Sequence, residues 1–326
     1  MRILLWHVHG SWTTSFVAGS HDYVLPLTPA RDADGRGRAD TWDWPRSARE
    51  VPVDRLRDES LDLVVLQRPH EAALVEQWTG RRPGRDLPAV YVEHNTPTEH
   101  AVRSTHPVVR DQALHGIPVV HVTHFNAMAW DTEGARTFVV EHGVPDPGYR
   151  YTGTAASCGV VVNEPVRRWR VAGTDLLLRV AEQVPVEVYG MKTDLLEQWA
   201  REHGTAALDG RTHDLPQDEL HDRLGAHRAY FHPYRWTSLG LALIEAMTLG
   251  LPVLALSTTE APEAVPAAAG LVTNDLDRLT ATARRWLHDP DEARERGAAA
   301  RQHALAHYGL KRFLDDWDHV LQEVLP

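Results

Sequence analysis

Short apolar runs alternate along the chain with longer segments in which apolar residues recur at helical spacing. This alternation predicts βα units around parallel sheets, because two parallel strands need a crossover helix between them. One series of predicted strands runs from residues 3–6 to 137–140, and a second runs from 159–162 to 270–272. The segment 145–153 between them is rich in turn residues and lacks apolar periodicity. The pattern therefore predicts two α/β domains.

The segment 28–58 interrupts this pattern, since it is rich in Asp, Arg, Gly and Pro and carries Trp42 and Trp44. Its polarity predicts an exposed loop rather than a core strand. Two interpretations stay open for its aromatic residues: an ordinary loop, or a contact with an acceptor substrate.

The composition is that of an ordinary globular protein, with 43% hydrophobic and 24% charged residues among 326. Cys158 is the single cysteine, so an intramolecular disulfide is excluded. The formal net charge of −11 argues against a broad nucleic-acid-binding surface. No run approaches the roughly 18 apolar residues of a membrane span, and no signal peptide is recognisable. We therefore expect a cytoplasmic protein without a transmembrane segment.

The 20 histidines raise the question of a metal site. His7 and His9 stand two apart on a predicted strand, but no H-E-x-x-H or C-x-x-C motif occurs. We therefore predict no bound metal. The absence of G-x-S-x-G, Walker A and G-x-G-x-x-G motifs disfavours hydrolases, P-loop enzymes and dinucleotide oxidoreductases.

The strongest chemical signal follows the predicted strand 229–233. A loop leads into a helix that is predicted to start near Ser238, and Gly250-Leu251-Pro252 precedes another strand. Ser238 is the predicted N-cap, and the free N–H groups of a helix start favour an anion such as phosphate. Glu245 lies two turns further on, where a carboxylate would accept hydrogen bonds from a diol such as ribose.

The run Gly-Leu-Ala-Leu-Ile-Glu-Ala-Met-Thr-Leu-Gly-Leu-Pro-Val at 240–253 resembles the retaining GT-B glycosyltransferases of family 4. The resemblance implies an α/β fold of GT-B architecture, with two Rossmann-like domains facing an interdomain cleft. It places an acceptor-side domain at 1–150 and a nucleotide-sugar-binding domain at 151–308. A last helix, 309–326, would cross back to the first domain. The likeness covers 159–326 well and 1–150 thinly.

The resemblance also implies roles for individual residues. Glu245 would bind the ribose of the donor, and the backbone at Gly10 would approach the donor diphosphate. His94, at the end of a predicted strand, would position the donor sugar by a hydrogen bond. The start of the helix would lie at the diphosphate through Leu239, Gly240 and Leu241.

The chain departs from the family pattern at two positions. Thr237 stands where the family has the first of two glutamates, at the donor sugar. Three outcomes stay open: the hydroxyl contacts the sugar differently, the sugar preference has shifted, or activity is lost. The family's phosphate-binding lysine is missing at Ala172, and Arg167 or Arg168 would replace it, since a guanidinium suits phosphate oxygens. Arg235 would either contact a phosphate or pair with a nearby acid.

The predicted reaction is metal-independent transfer of a sugar from a nucleoside diphosphate sugar to an acceptor hydroxyl, with retained anomeric configuration. No cofactor is expected beyond the donor itself, and the acceptor would be a small molecule, a glycan or a glycolipid. Two alternatives stay open. One is a nucleotide-sugar-binding protein without turnover, which Thr237 and the missing lysine suggest, and the other is a nucleotide-sugar epimerase.

Overall fold

The computed structural model, which describes residues 1–98, 100–101 and 103–326, divides the chain into two compact units. The first unit contains Met1–Val144 together with Leu310–Pro326, and the second contains Pro145–Gly309. The division between Val144 and Pro145 lies at the beginning of the turn-rich segment 145–153.

The first unit is an α/β unit with a seven-stranded parallel sheet. Its strands are β1 (Arg2–Leu5), β2 (Asp22–Leu27), β3 (Ala48–Pro52), β4 (Leu63–Leu66), β5 (Ala89–Glu93), β6 (Val119–His121) and β7 (Thr137–Val139). Its helices are α1 (Gly10–Val17), a 3₁₀ helix (Val53–Asp58), α2 (Glu71–Thr79), α3 (Pro107–Arg110), α4 (His124–Ala129) and, at the end of the chain, α13 (Leu310–Glu323). The strand order is β3-β2-β1-β4-β5-β6-β7. The order reverses at β1, so ligands are expected beyond the carboxyl ends of β1 and β4.

The second unit repeats this plan with a six-stranded parallel sheet. Its strands are β8 (Ala155–Val161), β9 (Val186–Tyr189), β10 (Thr212–His213), β11 (His227–His232), β12 (Val253–Ala255) and β13 (Gly270–Val272). Its helices are α5 (Trp169–Ala172), α6 (Thr174–Ala181), α7 (Thr193–Glu202), α8 (Gln217–Ala226), α9 (Leu241–Leu249), α10 (Ala261–Ala264), α11 (Leu276–His288) and α12 (Pro290–His307). The order β10-β9-β8-β11-β12-β13 reverses at β8, so the corresponding ligand position lies beyond β8 and β11.

The central strands are buried along most of their length, as the continuous apolar runs predict. Leu4 pairs with Val24 on one side and Val64 on the other, and none of the three is exposed. Among the described residues, no helix combines the length and the apolarity that would let it span a bilayer.

Helix α13 packs within the first unit through an apolar stripe with helical spacing, formed by Phe313, Trp317, Val320 and Leu321. The Trp317 ring lies edge-on to Phe16 at 5.0 Å and to Trp12 at 5.7 Å between centroids. Each such pair contributes about 0.5–1.5 kcal/mol beyond the burial of its area. Aromatic contacts with α1 therefore hold α13 in this unit.

The prediction of an exposed loop over 28–58 is wrong in its second half. Strand β3 pairs in parallel with β2, with Val24 opposite Arg49. Trp44 is only 2% exposed, and its Nε1 donates to Thr14 Oγ1 at 2.9 Å. The physical reason is that β3 is an edge strand, and an edge strand tolerates polar residues that a central strand would exclude.

The turn between β4 and α2 is built around the fully buried carboxylate of Glu71. One of its oxygens accepts hydrogen bonds from the backbone N–H groups of Gln67, at 2.6 Å, and Arg68, at 3.1 Å. The other accepts from Arg68 Nε at 2.7 Å. This carboxylate therefore fixes the residues that follow β4.

We expect Glu71→Ala to destabilise the chain by about 3 kcal/mol, because it leaves a guanidinium and two buried N–H groups without their acceptor. Glu76→Ala, at an exposed position of the same helix, is the matched control and should change stability by less than about 0.5 kcal/mol. Urea unfolding of both variants measures the difference, and equal midpoints would contradict the assigned role.

Candidate active site

Three histidines come together at the carboxyl ends of strands in the first unit. His9 follows β1, His94 follows β5 and His142 follows β7. The rings of His9 and His94 lie 4.2 Å apart between centroids, and Trp12 packs edge-on against His94 at 5.0 Å. The fold thus brings together three residues that are far apart in the sequence, since 133 positions separate His9 from His142.

A glutamine fixes the tautomer of His94. Gln67 Nε2 donates to the carbonyl oxygen of Trp6 at 2.8 Å, so its Oε1 is the atom that faces His94 Nε2, at 3.0 Å. Since that oxygen only accepts, the proton of His94 is on Nε2 and its Nδ1 is an acceptor. The sequence analysis missed Gln67, although its place directly after a buried strand was a usable signal.

The three rings are uncharged at neutral pH. Burial lowers the pKa of His9 to about 4 and that of His142 to about 3. Burial also holds the pKa of His94 well below its ordinary value, and the neighbouring His9 and His142 add to this effect. The cluster therefore offers neutral hydrogen-bonding groups rather than a positive charge.

Gly10 begins α1, and His9 is its N-cap without a side-chain capping bond. The indole ring of Trp42 lies directly against Gly10, so a Cβ at this position would overlap it. The predicted backbone role of Gly10 thus concerns a helix start that is partly covered by an aromatic side chain.

In the second unit, the loop after β11 leads into α9, but the helix starts at Leu241 and its N-cap is Gly240. The prediction of Ser238 as the N-cap is wrong. Ser238 is only 3% exposed within the preceding turn. Gly240 lies over the His232 ring, where a Cβ would stand 2.7 Å from His232 Cε1. The contact with the His232 ring therefore leaves space only for glycine at the N-cap position.

Glu245 lies on α9 and is partly buried. Its Oε2 accepts a hydrogen bond from Gln217 Nε2 on α8 at 3.3 Å, and the same amide group lies 2.8 Å from His221 Nε2. Burial raises the pKa of Glu245 despite the Gln217 bond. A carboxylate with one weak partner in a partly apolar setting has hydrogen-bonding capacity left for a ligand.

The arginines near this site differ in their partners. Arg167 is 68% exposed at its side chain and pairs with Glu164, which Lys192 also contacts at 3.0 Å. Arg235 makes a two-pronged pair with Asp175, with N–O distances of 2.5 and 2.7 Å. Of the two alternatives for Arg235, the structure thus shows the pair with an acid. A contact of Arg235 with a phosphate stays a prediction.

Arg168 differs from both, because it makes no ion pair with any described residue. Its guanidinium carbon lies over the Tyr234 ring, 5.4 Å from the centroid. Tyr234 is 8% exposed and is the second residue after the end of β11. The turn holding Arg168 is thereby brought to the same edge of the sheet as the loop that holds Thr237.

Gly173 makes this approach possible. It adopts a left-handed conformation with φ 72°, and a Cβ there would overlap the carbonyl oxygen of Pro233. Only glycine combines that backbone conformation with that contact. The second unit therefore brings Arg168, the start of α9 and the loop with Thr237 to the carboxyl ends of β8 and β11.

In the described part of the chain, no group of three or more His, Cys, Asp or Glu side chains is placed to hold a metal ion.

Residues 168–303 match the sequence profile of the family described as glycosyl transferases group 1. The second unit carries a glycosyl transferases group 1 domain. The matched range of this group 1 domain includes Arg168, Thr237 and Glu245, whereas Arg167 lies one residue outside it.

A mannosyltransferase matches a shorter stretch of the chain. A GDP-mannose-dependent monoacylated alpha-(1-6)-phosphatidylinositol monomannoside mannosyltransferase of Corynebacterium glutamicum is 35% identical over 86 residues. The alignment covers 26% of this chain and 23% of that protein. The chain thus matches less than a quarter of that relative's length.

Solved structures resemble the chain over nearly its whole length. Sucrose-phosphate synthase from Thermosynechococcus elongatus has a TM-score of 0.73 at 15% identity, with 99% of each chain covered. Anabaena HepE in complex with UDP and glucose has a TM-score of 0.73 at 14% identity, covering 99% of this chain and 100% of that one. At such identities the likeness concerns the fold. It confirms the predicted fold class, GT-B architecture with two Rossmann-like α/β domains.

Proposed function

We propose that this chain is a retaining glycosyltransferase that moves a sugar from a nucleoside diphosphate sugar to an acceptor hydroxyl without a metal ion. The observation that carries the proposal is the match of residues 168–303 to the group 1 family, a range that contains Arg168 and Glu245, two of the residues predicted to bind the donor. The glycosyltransferase-like fold of the rest of the chain supports it.

The groups on the second unit have complementary roles in this proposal. Glu245 accepts hydrogen bonds from the ribose diol, with Gln217 holding one of its oxygens. The free N–H groups at the start of α9 and the Arg168 guanidinium face the diphosphate. Fixed donors of this kind stabilise the charge that develops on the leaving diphosphate, which is the main electrostatic requirement of the reaction.

In this proposal, two further residues contact the sugar of the donor. His94 hydrogen-bonds the sugar through Nδ1, the atom that its Gln67 contact leaves as an acceptor. Thr237 offers a hydroxyl where family members have a carboxylate. This substitution is the observation that favours a second candidate function, nucleotide-sugar binding without turnover.

A panel of donors separates the two candidates. UDP-glucose and GDP-mannose come first, because HepE was solved with UDP-glucose and the Corynebacterium relative depends on GDP-mannose. A transferase releases nucleotide faster when an acceptor is added, whereas a binding protein binds the donor and releases none. Failure of the folded chain to bind any nucleotide or nucleotide sugar would rule out both. The acceptor class and the cytoplasmic location stay predictions from the sequence.

The neighbouring arginines provide a matched pair of variants. We expect Arg168→Ala to weaken binding of UDP or GDP by about tenfold or more, since a charge-assisted contact contributes about 1.5–3 kcal/mol. Arg167→Ala should change the affinity less than about twofold, because that side chain is exposed and occupied by Glu164. Isothermal titration calorimetry gives both values, and the reverse ranking would reassign the phosphate contact to Arg167.

A further inference from the structure

We propose that the first unit carries a groove that binds a neutral saccharide, at the loops following β5 and β6. The groove encloses about 450 Å³, within the usual range for small-ligand sites. The residues on which the proposal depends line it: Thr98, Thr105, Arg110, Asp111, Gln112 and Trp130. The proposal rests on the proposed function in one respect, since the saccharide is assigned as part of a glycan acceptor.

The aromatic wall of the groove is held rigidly. Trp130 Nε1 donates to the carbonyl oxygen of Asn95 at 2.8 Å, and His106 packs edge-on against the indole at 5.2 Å. His106 is itself fully buried, and its Nε2 lies 3.0 Å from Glu93 Oε2. The indole is therefore fixed before any ligand arrives, which reduces the entropy lost on binding.

The polar groups of the groove suit hydroxyls. Arg110 makes no ion pair with any described residue, so its N–H groups are available as donors. Asp111 uses Oδ1 to accept from the Ala113 N–H at 2.9 Å, which leaves Oδ2 as an acceptor. Gln112 supplies both a donor and an acceptor. A sugar needs both kinds of partner, because every hydroxyl can donate and accept.

The charge of the groove argues for a neutral ligand. Arg110 and Asp111 both line the groove and carry opposite charges. Their charges cancel, so the groove has no net charge that would attract an anion or a cation. A pyranose also presents an apolar C–H face beside its hydroxyl edge, and Trp130 offers a matching apolar ring. The groove shares the loop after β5 with His94, so its occupant would lie on the loop that holds the proposed sugar-binding histidine.

The test uses the full chain and two neutral probes, maltotriose and methyl α-D-glucopyranoside, in saturation-transfer difference NMR and tryptophan fluorescence titrations. We expect binding of maltotriose in the millimolar range, weakened at least about fivefold by Trp130→Ala and by Arg110→Ala. Trp130→Phe keeps an aromatic face and should retain most of the affinity. Arg85→Ala, which removes an exposed arginine of the same unit outside the groove, should bind like the unaltered chain.

Arg110→Ala separates a loss of binding from a loss of folding. The side chain is exposed, so its removal leaves the packing around Trp130 intact. Binding of neither neutral probe would overturn the proposal, and so would maltotriose affinities of Trp130→Ala and Arg110→Ala that equal the affinity of the unaltered chain. Preferential binding of a charged sugar such as glucuronic acid would overturn its neutral character. Titration with UDP and GDP is a separate measurement: nucleotide binding without saccharide binding rejects the groove alone, and saccharide binding without nucleotide binding rejects the donor function alone.

Discussion

Glu245→Gln is expected to weaken the binding of UDP or GDP by about tenfold or more while leaving the folded chain at least as stable. A carboxylate can accept hydrogen bonds from both hydroxyls of a ribose diol, whereas an amide offers a single accepting oxygen. Loss of one hydrogen bond to a charged group corresponds to about 1.5–3 kcal/mol, and 1.4 kcal/mol corresponds to tenfold in affinity.

The expected stability follows from the sign of the pKa shift. Burial raises the pKa of Glu245 above its ordinary value, so the folded state holds this proton more strongly than the unfolded state. Its contribution to stability is therefore present at low pH and lost as the pH rises through the folded-state pKa. At neutral pH the buried charge is a cost, which the glutamine removes while it still accepts the bond from Gln217.

The control for this prediction is Glu219→Gln, an exposed carboxylate on α8 two residues from Gln217. It removes the same charge from the same region, and its nucleotide affinity should stay within twofold of the unaltered chain. Calorimetric titration measures the nucleotide affinity of both variants, and thermal unfolding measures their stability. An unchanged affinity in Glu245→Gln would remove Glu245 from the donor site, and a large loss of stability would mean that its charge supports the fold.

Much of the fold could be predicted because its strands are continuous apolar runs that become buried on both faces, as at Val64 and Val65. Strand β3 could not be predicted in this way. An edge strand needs few apolar residues, and its pairing partner on β2 is more than 20 positions earlier in the sequence. The start of α9 was missed for a different reason. The N-cap is Gly240, which lies against the His232 ring, and that contact is tertiary and cannot be read from the local pattern.

The donor-site prediction depends on residues that are local in sequence, whereas the tertiary contacts of the candidate site could not be predicted from local patterns. The run 240–253 contains Glu245 and the helix start within a few turns. The pairing of Arg235 with Asp175 joins residues 60 positions apart, so composition and spacing alone could not choose between a phosphate and an acid as its partner. The histidine cluster is assembled from three separate loops, and its neutral state follows from burial that no local pattern encodes.

Acid is expected to remove most of the stability of the chain between pH 6.5 and 4.5. Burial lowers the pKa of nine histidines below the ordinary 6.5, and six of them carry the largest shifts, to about 4 or 3 in five and well below 6.5 in the sixth. These six are His9, His121, His142, His227, His232 and His94. The unfolded chain takes up these protons near pH 6.5 and the folded chain does not, so stability is lost as the pH falls.

The summed loss of stability is comparable to the whole stability of a typical domain. A histidine whose folded-state pKa is about 4 costs roughly 2–3 kcal/mol by pH 4.5, since each pKa unit corresponds to 1.36 kcal/mol. A typical domain is stable by only about 5–15 kcal/mol. Glu71 and Glu245, whose pKa values burial raises, act in the opposite direction, but they are two groups against six. Urea midpoints measured from pH 7.5 to 4.5 should therefore fall steeply, and a flat profile would contradict the prediction.

His121→Leu tests whether buried histidines cause the fall. His121 is fully buried, and neither ring nitrogen lies within hydrogen-bonding distance of a described protein group. Leucine of similar size therefore removes one titrating site without breaking a protein hydrogen bond, and stability at pH 7.5 should be kept. The decrease in the free energy of unfolding between pH 7.5 and 4.5 should be smaller by about 2–3 kcal/mol, since the pKa of His121 is about 4. His115→Gln, at an exposed position, should leave the loss unchanged. Equal pH dependence in His121→Leu and the unaltered chain would assign the acid transition to the carboxylates instead.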